Sequence, residues 1–266
     1  MKNNGKHVLL TGGTSGIGHE LAKLFAKDGY NLTIVARTES DLVRVADELR
    51  GLGAPQVRTI SKDLMDPRGP FEVCEMVTEP VDILVNDAGQ GAWGEFLDID
   101  IQRELSIIRL NIDAYIVLTK HFLAQMVERG SGKVLNVASI AGKIPGPLQA
   151  VYHATKAFVL SWSEAVKFEI RDAKGVTITD LLPGATDTDF FHKAGMEQAV
   201  VVQEDKLAPP ADVAKDGYDA LMKGEDRVIS GLMNKINTTM SNVMPDSVAA
   251  AQAYKDNKPA DASKEK

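Results

Sequence analysis

Short apolar runs alternate along the chain with longer segments in which apolar residues return every three or four positions. The runs His7–Leu10, Asn31–Ala36, Val57–Ile60, Val81–Val85, Lys133–Ala138 and Val176–Leu182 predict six strands, with Val228–Ser230 as a short seventh. Near-continuous apolar strands of this kind are buried on both faces, as in parallel sheets. Between them, His19–Ala26 puts Leu21, Leu24 and Phe25 on one helical face and stops at Asp28-Gly29. Ser40–Arg50 keeps Leu42, Val45 and Leu49 in phase and closes at Gly51, while Ile101–Glu128 and Tyr152–Ala173 predict two long helices without proline. Strands alternating with helices predict an α/β fold, a doubly wound parallel sheet covered on both faces by right-handed crossovers. No linker or internal repeat divides residues 1–236, which are read as one domain. Residues 237–266 are read as a helix followed by a tail, disordered from Asn257, where Lys, Asp, Ala and Pro dominate.

Composition narrows the class. The chain has 266 residues, 44% of them hydrophobic and 25% charged, enough to bury a core. With 30 basic and 37 acidic side chains the net charge is −7, and no basic stripe is available to neutralise nucleic-acid phosphates. A single cysteine, Cys74, excludes an intrachain disulfide framework and suits a reducing compartment. The amino-terminal residues form no signal peptide, and no apolar stretch reaches the roughly 18 residues needed to span a bilayer. These features predict a soluble cytoplasmic protein.

The first strand runs into Thr11-Gly12-Gly13-Thr14-Ser15-Gly16-Ile17-Gly18, which opens a helix. Gly12 permits a tight turn, Gly16 lets a pyrophosphate approach the backbone, and Gly18 lets the helix pack on the strand. The helix start adds free N–H groups and the positive end of a dipole. This spacing resembles that of the short-chain dehydrogenase/reductase family, single-domain enzymes on a Rossmann-type sheet. Asn86-Asp87-Ala88-Gly89, Tyr152-His153-Ala154-Thr155-Lys156 and Pro183-Gly184 follow in the family's order.

In such dinucleotide folds an acid at the end of the second strand holds the ribose 2′-OH, whereas an arginine accommodates a 2′-phosphate. Here Ala36 stands in the acid's place and Arg37 follows it, with hydroxyls at Thr14, Ser15 and Thr38. The planar guanidinium suits a phosphate, so NADP(H) is expected in preference to NAD(H); the alternative for Arg37 is a solvated surface side chain. The resemblance further implies that Asp63 and Leu64 lie against the adenine and Ala88 and Gly89 against its ribose. Asn86, Ile17 and Gly184 would border the cofactor. The family's usual Asn-Asn-Ala-Gly has Asp87 at its second position here, a carboxylate beside a polyanion.

Tyr152 and Lys156 lie one helical turn apart on the same face. A phenol titrates near 10, and a nearby cation favours its ionised form. A second such pair, Tyr254 and Lys258 with Ser241 upstream, lacks a preceding apolar strand and reads as a solvated helix face. Ser139, by contrast, follows the strand ending at Ala138, at the carboxyl edge where open α/β sheets place ligands. By the family resemblance, Tyr152 is the general acid or base, Ser139 orients the substrate oxygen, and Lys156 tunes Tyr152 and holds the nicotinamide ribose. Asn111 completes the tetrad and helps to hold a relay water, although its apolar neighbourhood alone indicates only a core asparagine. Pro183-Gly184-Ala185-Thr186-Asp187-Thr188 resembles the family's loop after the sixth strand, where Thr186 replaces an aliphatic residue and Thr188 would bind the carboxamide.

The segment from about 184 to 209 corresponds to the family's substrate lid. Phe190, Phe191, Met196 and Ala199-Val200-Val201-Val202, with Gln90, Trp93, Ile144 and Leu148, would surround an apolar carbonyl or alcohol, or pack the lid on its own core. The five histidines lie on separate elements without metal-ligand spacing. His192 reads as a loop residue and Cys74 as a packed thiol. The long helices resemble those through which the family forms dimers or tetramers. The leading expectation is an NADP(H)-dependent carbonyl reductase or alcohol dehydrogenase. A non-catalytic dinucleotide sensor, an NAD-preferring enzyme, and an epimerase or dehydratase on the same scaffold are the alternatives.

Overall fold

The computed structural model describes residues 3, 5–203, 207–241 and 244–260. Seven strands form one sheet: β1 (His7–Thr11), β2 (Asn31–Ala36), β3 (Val57–Ser61), β4 (Ile83–Asn86), β5 (Gly132–Val137), β6 (Val176–Leu182) and β7 (Arg227–Ile229). Their spatial order is β3-β2-β1-β4-β5-β6-β7, and every adjacent pair is parallel. The chain winds outward from β1 to β3, then returns to lay β4 on the other side of β1. The connections leaving β1 and β4 therefore diverge, and a crevice opens at their carboxyl ends.

Alternation within each strand feeds two cores. Val8, Leu10 and Ile34 pack with Leu21 and Phe25 of α1 (Gly16–Lys27), Leu42 of α2 (Glu39–Leu52) and Leu221 further along the chain. Leu9, Val35 and Leu84 face the opposite side, against Val73 of α3 (Gly69–Met76) and Leu118 and Phe122 of a later helix. Because both faces are covered, both phases of each strand must be apolar.

The long helix expected over Ile101–Glu128 is interrupted. α4 (Ile101–Ile108) passes into a π turn, Arg109–Asp113, before α5 (Ala114–Arg129). The turn centres on Asn111, fully buried, whose side chain bonds out of the helix to Gln90 and Thr155. A wider turn accommodates that demand without breaking the helix axis. α6 (Ala150–Glu169) carries Tyr152 and Lys156. After β6 come α7 (Phe190–Ala194), α8 (Val200–Gln203), α9 (Pro210–Lys223), α10 (Leu232–Ser241) and α11 (Asp246–Asn257). Of the segment expected as the lid, residues 204–206 lie outside the described residues.

The tail is not disordered from Asn257. Lys258 accepts a hydrogen bond from the Val200 N–H at 3.0 Å, and Ala260 donates to Gln198 at 2.8 Å. Backbone pairing of this kind is blind to the polar composition that suggested disorder. Residues 261–266 lie outside the described residues. Among the described residues no helix is long and apolar enough to cross a membrane, and no side-chain cluster could hold a metal.

One row of polar side chains crosses the sheet at a single level. Asn86 donates to Asn136 at 2.9 Å and to Thr119 of α5 at 2.9 Å. Asn136 faces Asp180, which is fully buried and accepts from Ser163 at 2.7 Å and from Lys167 at 2.8 Å, both on α6. Buried polar groups must be paired, so this row fixes how α5 and α6 dock. Replacing Lys167 by Met leaves Asp180 buried without its counter-charge. The expected destabilisation is about 3–5 kcal/mol, read by urea unfolding at neutral pH.

Candidate active site

The crevice is a cavity of about 690 Å³. Its walls bring together Gly12, Thr14, Ser15, Gly16 and Ile17 from the glycine turn, Arg37 after β2, Asp63 and Leu64 after β3, and Ala88 and Gly89 after β4. Ser139, Tyr152, Lys156, Pro183, Gly184, Thr186 and Thr188 complete it. Of the residues expected to bind the cofactor or to react, three do not line it. Asn86 is spent on the polar row, Asn111 is enclosed behind Gln90, and Gly18 faces Asp87.

The glycine turn is shaped by what lies beneath it. Gly12 has φ +78°, and a Cβ there would stand 2.8 Å from Asp87 Oδ2 and 2.9 Å from the Ala88 nitrogen. A Cβ on Gly18 would collide with the same carboxyl oxygen and with the Gly12 carbonyl. Thr11 ties this layer together: its hydroxyl donates to the Val85 carbonyl at 3.3 Å and accepts the N–H groups of Asp87 and Ala88, both at 3.2 Å. Asp87 in turn accepts the Gly18 N–H. Burial pushes its carboxyl up to about 7, opposed by the nearby Lys156 ammonium and by the Gly18 hydrogen bond. Ser15, the N-cap of α1, makes no side-chain cap bond, so Gly16 and Ile17, both in the crevice wall, keep N–H groups that it does not cap, while that of Gly18 is taken by Asp87.

At the other end of the wall, Arg37 is joined by two cations that sequence reasoning did not single out, Arg44 and Lys62. Lys62 is paired with Glu72 at 2.6 Å and Arg44 lies 3.8 Å from Asp41. Arg44 is on α2 and Lys62 follows β3, so only the sheet order brings them beside Arg37.

The reactive group forms where β5 ends. The carbonyl of its last residue, Val137, accepts the Lys156 ammonium at 2.8 Å and the Tyr115 hydroxyl at 3.1 Å. Two residues on, Ser139 accepts the Ala141 N–H at 3.1 Å, and its hydroxyl donates to the Pro183 carbonyl at 3.4 Å. Lys156 Nζ is 5.9 Å from the centre of the Tyr152 ring. Lys156 is 4% exposed, and burial lowers its ammonium to about 8 against the pull of Asp87. Burial pushes the Tyr152 phenol up to about 12, opposed by its hydrogen bond with Ser139.

The lid closes over this group. The Phe190 ring lies 4.9 Å from that of Tyr152, and Phe191, Met196 and Val201 line the same end of the cavity. Ile144 and Gln90 are in the wall, whereas Trp93 and Leu148 are not. Trp93 packs on the lid from outside, and Leu148, at φ +65°, offers its carbonyl to Gly94. His192 lies on α7 rather than in a loop; its side chain is 82% exposed and bonded to Glu197, so it stays at the surface. Sequence reasoning missed Arg103, whose guanidinium joins Gln90, Gly91 and the lid carbonyl of Lys193. It also missed Thr155, which holds Asn111, and Ala253, Asp256 and Asn257 of α11 in the cavity wall.

Asp87 and Lys156 thus hold one another. Asp87→Asn is expected to drop the Lys156 titration further below about 8, because the charge that opposes burial is lost. The shift is measured by following the Lys156 Cε resonance against pH; an unchanged or raised midpoint would refute the coupling.

Sequence and fold comparisons agree with this geometry. The family model described as short chain dehydrogenase matches residues 6–199. The ketoacyl reductase HetN of Nostoc sp. is 30% identical over 249 residues, covering 90% of this chain and 83% of that protein. A short-chain dehydrogenase from Sphingobium yanoikuyae, solved in complex with NADPH, superposes with a TM-score of 0.80 at 27% identity, covering 90% of this chain and 96% of that one. The bulky-bulky ketone specific alcohol dehydrogenase from Comamonas testosteroni gives 0.76 at 25% identity, over 94% and 99% of the two chains. With its seven-stranded parallel sheet, its glycine turn and a match over most of its length, this chain belongs to the short chain dehydrogenase family.

Proposed function

We propose that the protein is an NADP(H)-dependent carbonyl reductase, working reversibly on a secondary alcohol, with Tyr152 as its acid and base. The observation that carries this reading is the convergence of Ser139, Tyr152 and Lys156 at the end of β5, inside the crevice that begins at the glycine turn. The crevice fits a dinucleotide. Gly12 leaves room for close approach, the uncapped start of α1 offers N–H donors to phosphates, and Arg37, Arg44 and Lys62 gather at one end.

When bound, the nicotinamide gives or takes the hydride. Ser139 donates a hydrogen bond to the substrate oxygen and orients it. Tyr152, whose burial keeps the phenol protonated at neutral pH, donates its proton to that oxygen as the alcohol forms. Lys156 then faces the phenolate and offsets its charge, and reaches the ribose side of the crevice beside Gly89. Thr188 would hold the carboxamide end, Thr186 shapes the same loop through its bond to the Gly184 carbonyl, and Asn111 keeps Gln90 and the loop after β4 in place.

Phe190, Phe191, Met196 and Val201 favour an apolar carbonyl substrate, in keeping with relatives named for ketoacyl groups and bulky ketones. Phe158 and Phe168, 37% and 68% exposed on α6, support pairing of subunits through that helix. The working assignment is a cytoplasmic homodimer or homotetramer.

The test is NADPH consumption against aldehydes, ketones and β-keto esters. Tyr152→Phe should lower kcat about 10²–10⁴-fold while NADPH binding persists; turnover surviving in the variant would overturn the mechanism. Cofactor choice is tested separately. Arg37→Ala should weaken NADPH about ten- to a hundredfold, the worth of a charge-assisted contact, and leave NADH affinity nearly unchanged. An unaltered NADPH/NADH ratio would refute the role of Arg37.

A further inference from the structure

The carboxyl-terminal helix meets the cavity through Ala253, Asp256 and Asn257, and the last of these also bonds to two of the loops around it. Asn257 is buried at 8% exposure and lines the cavity wall. Its side-chain amide donates to the Pro147 carbonyl at 3.0 Å, and its main-chain carbonyl accepts the Trp93 indole N–H at 2.7 Å. The next residues run antiparallel to the lid, with Pro259 opposite Ala199, the Val200 N–H donating to Lys258 at 3.0 Å and the Ala260 N–H donating to Gln198 at 2.8 Å. Trp93 also reaches the lid through its own backbone, donating to the Ala194 carbonyl at 3.1 Å.

Trp93 follows β4, Pro147 follows β5 and Ala199 follows β6. These three loops flank the substrate end of the cavity; the first is bonded to the second where the Gly94 N–H donates to Leu148 at 3.0 Å, and to the third through the Trp93 and Arg103 bonds to Ala194 and Lys193. A pocket assembled from several loops is positioned more firmly when a further element braces them together, and Asn257 bonds to the first two loops while the residues after it pair with the third. An asparagine suits that position because its side-chain amide donates to the loop after β5, while its main-chain carbonyl, which any residue would present, accepts from the loop after β4. The apolar cluster of Ala194, Met196 and Ala199, with Trp93 and Phe190 packed on it, makes the lid move as a unit once it is tethered.

We propose that Asn257 is a positioning residue for the substrate pocket. By tying the three loops to the carboxyl-terminal segment it holds Phe190 and Met196 over Tyr152, and so sets the affinity for an apolar carbonyl without acting on the dinucleotide end. The tether is independent of the reductase reading; its effect on substrate rests on that reading.

Two measurements on the full-length protein separate them. Hydrogen exchange of the amides of residues 190–203 is followed in wild type, Asn257→Ala, Asn257→Asp and Trp93→Phe, without cofactor. Asn257→Asp keeps the shape and loses the donor, and Trp93→Phe removes one indole N–H while leaving an aromatic ring. Exchange in the lid should accelerate about tenfold in each variant, with protection in β1 and α1 unchanged. With 4-nitrobenzaldehyde and NADPH, KM should rise about five- to tenfold while kcat stays within about twofold and NADPH affinity is unchanged. Unchanged lid exchange in all three variants would overturn the tether, and so would an equal acceleration in β1 and α1. An unchanged KM, or a loss of NADPH affinity matching the rise in KM, would overturn its role in the pocket. If wild type leaves 4-nitrobenzaldehyde untouched, the reductase reading loses support and exchange alone decides the tether.

Discussion

The Lys156 ammonium against the carbonyl of Val137 is the contact on which the site depends. A primary ammonium taken almost completely out of water costs several kcal/mol unless it is paired and hydrogen-bonded. Here the compensation is local: one carbonyl freed by the end of β5, the Asp87 carboxyl across the crevice, and the rings of Tyr115 and Tyr152 within 5.6 Å and 5.9 Å. Each partner comes from a different element. Placing that charge therefore fixes the mutual position of β5, α6, the loop after β4, and α5. Ser139 inherits its place from the same strand end, since only Ala138 separates it from Val137 and its hydroxyl oxygen is held by the Ala141 N–H.

The sheet supplies the rest of the constraint. In a parallel sheet every strand delivers its carboxyl end to the same edge, so turns remote in sequence become neighbours. The polar row from Asn86 through Asn136 to Asp180 sits just below that edge and ties it to α5 and α6. Apolar packing fixes how deep a helix lies, but tolerates sliding along its axis. A directional bond such as Ser163 to Asp180 does not tolerate it, and one helical turn from Ser163 towards the amino terminus α6 carries Val159, then Lys156. A buried polar network of modest net stability can thus decide where the reactive pair stands.

The legible part of this protein was whatever is encoded by short-range pattern. Short apolar runs located all seven strands to within about two residues, β2 and β6 at both ends, because burial on both faces forces runs that few other structures need. The glycine turn, Tyr152 with Lys156, and Ser139 after an apolar strand were legible for the same reason. The rest depended on distances that sequence does not carry. Asn111 reads as a residue inside a long helix; only the approach of Gln90 and Thr155 explains the π turn. Arg44 and Lys62 are ordinary charged positions until sheet order sets them beside Arg37. α9 had its signals in the sequence, Pro210 at the start and Gly224 at the end, yet no element was expected between the lid and the seventh strand. Asn257 was hidden by a polar composition that says nothing about backbone pairing.

An acidic chain that receives a polyanion must gather its attraction locally, and here Asp87 works against that attraction. Its carboxyl lies directly under the turn that faces the crevice, against Gly12 and Gly18. The raised titration of that group, to about 7, resolves the conflict in part. A protonated Asp87 still accepts the Gly18 N–H and adds no charge beneath the turn, whereas an asparagine would do the same at every pH. The difference between the two side chains is therefore electrostatic and confined to conditions in which Asp87 ionises. There the carboxylate gains Lys156 as a partner, and the same charge that disfavours a phosphate above it keeps the ammonium protonated beside Tyr152. The substitution trades attraction at the glycine turn for a stronger cation at the reactive end of the crevice.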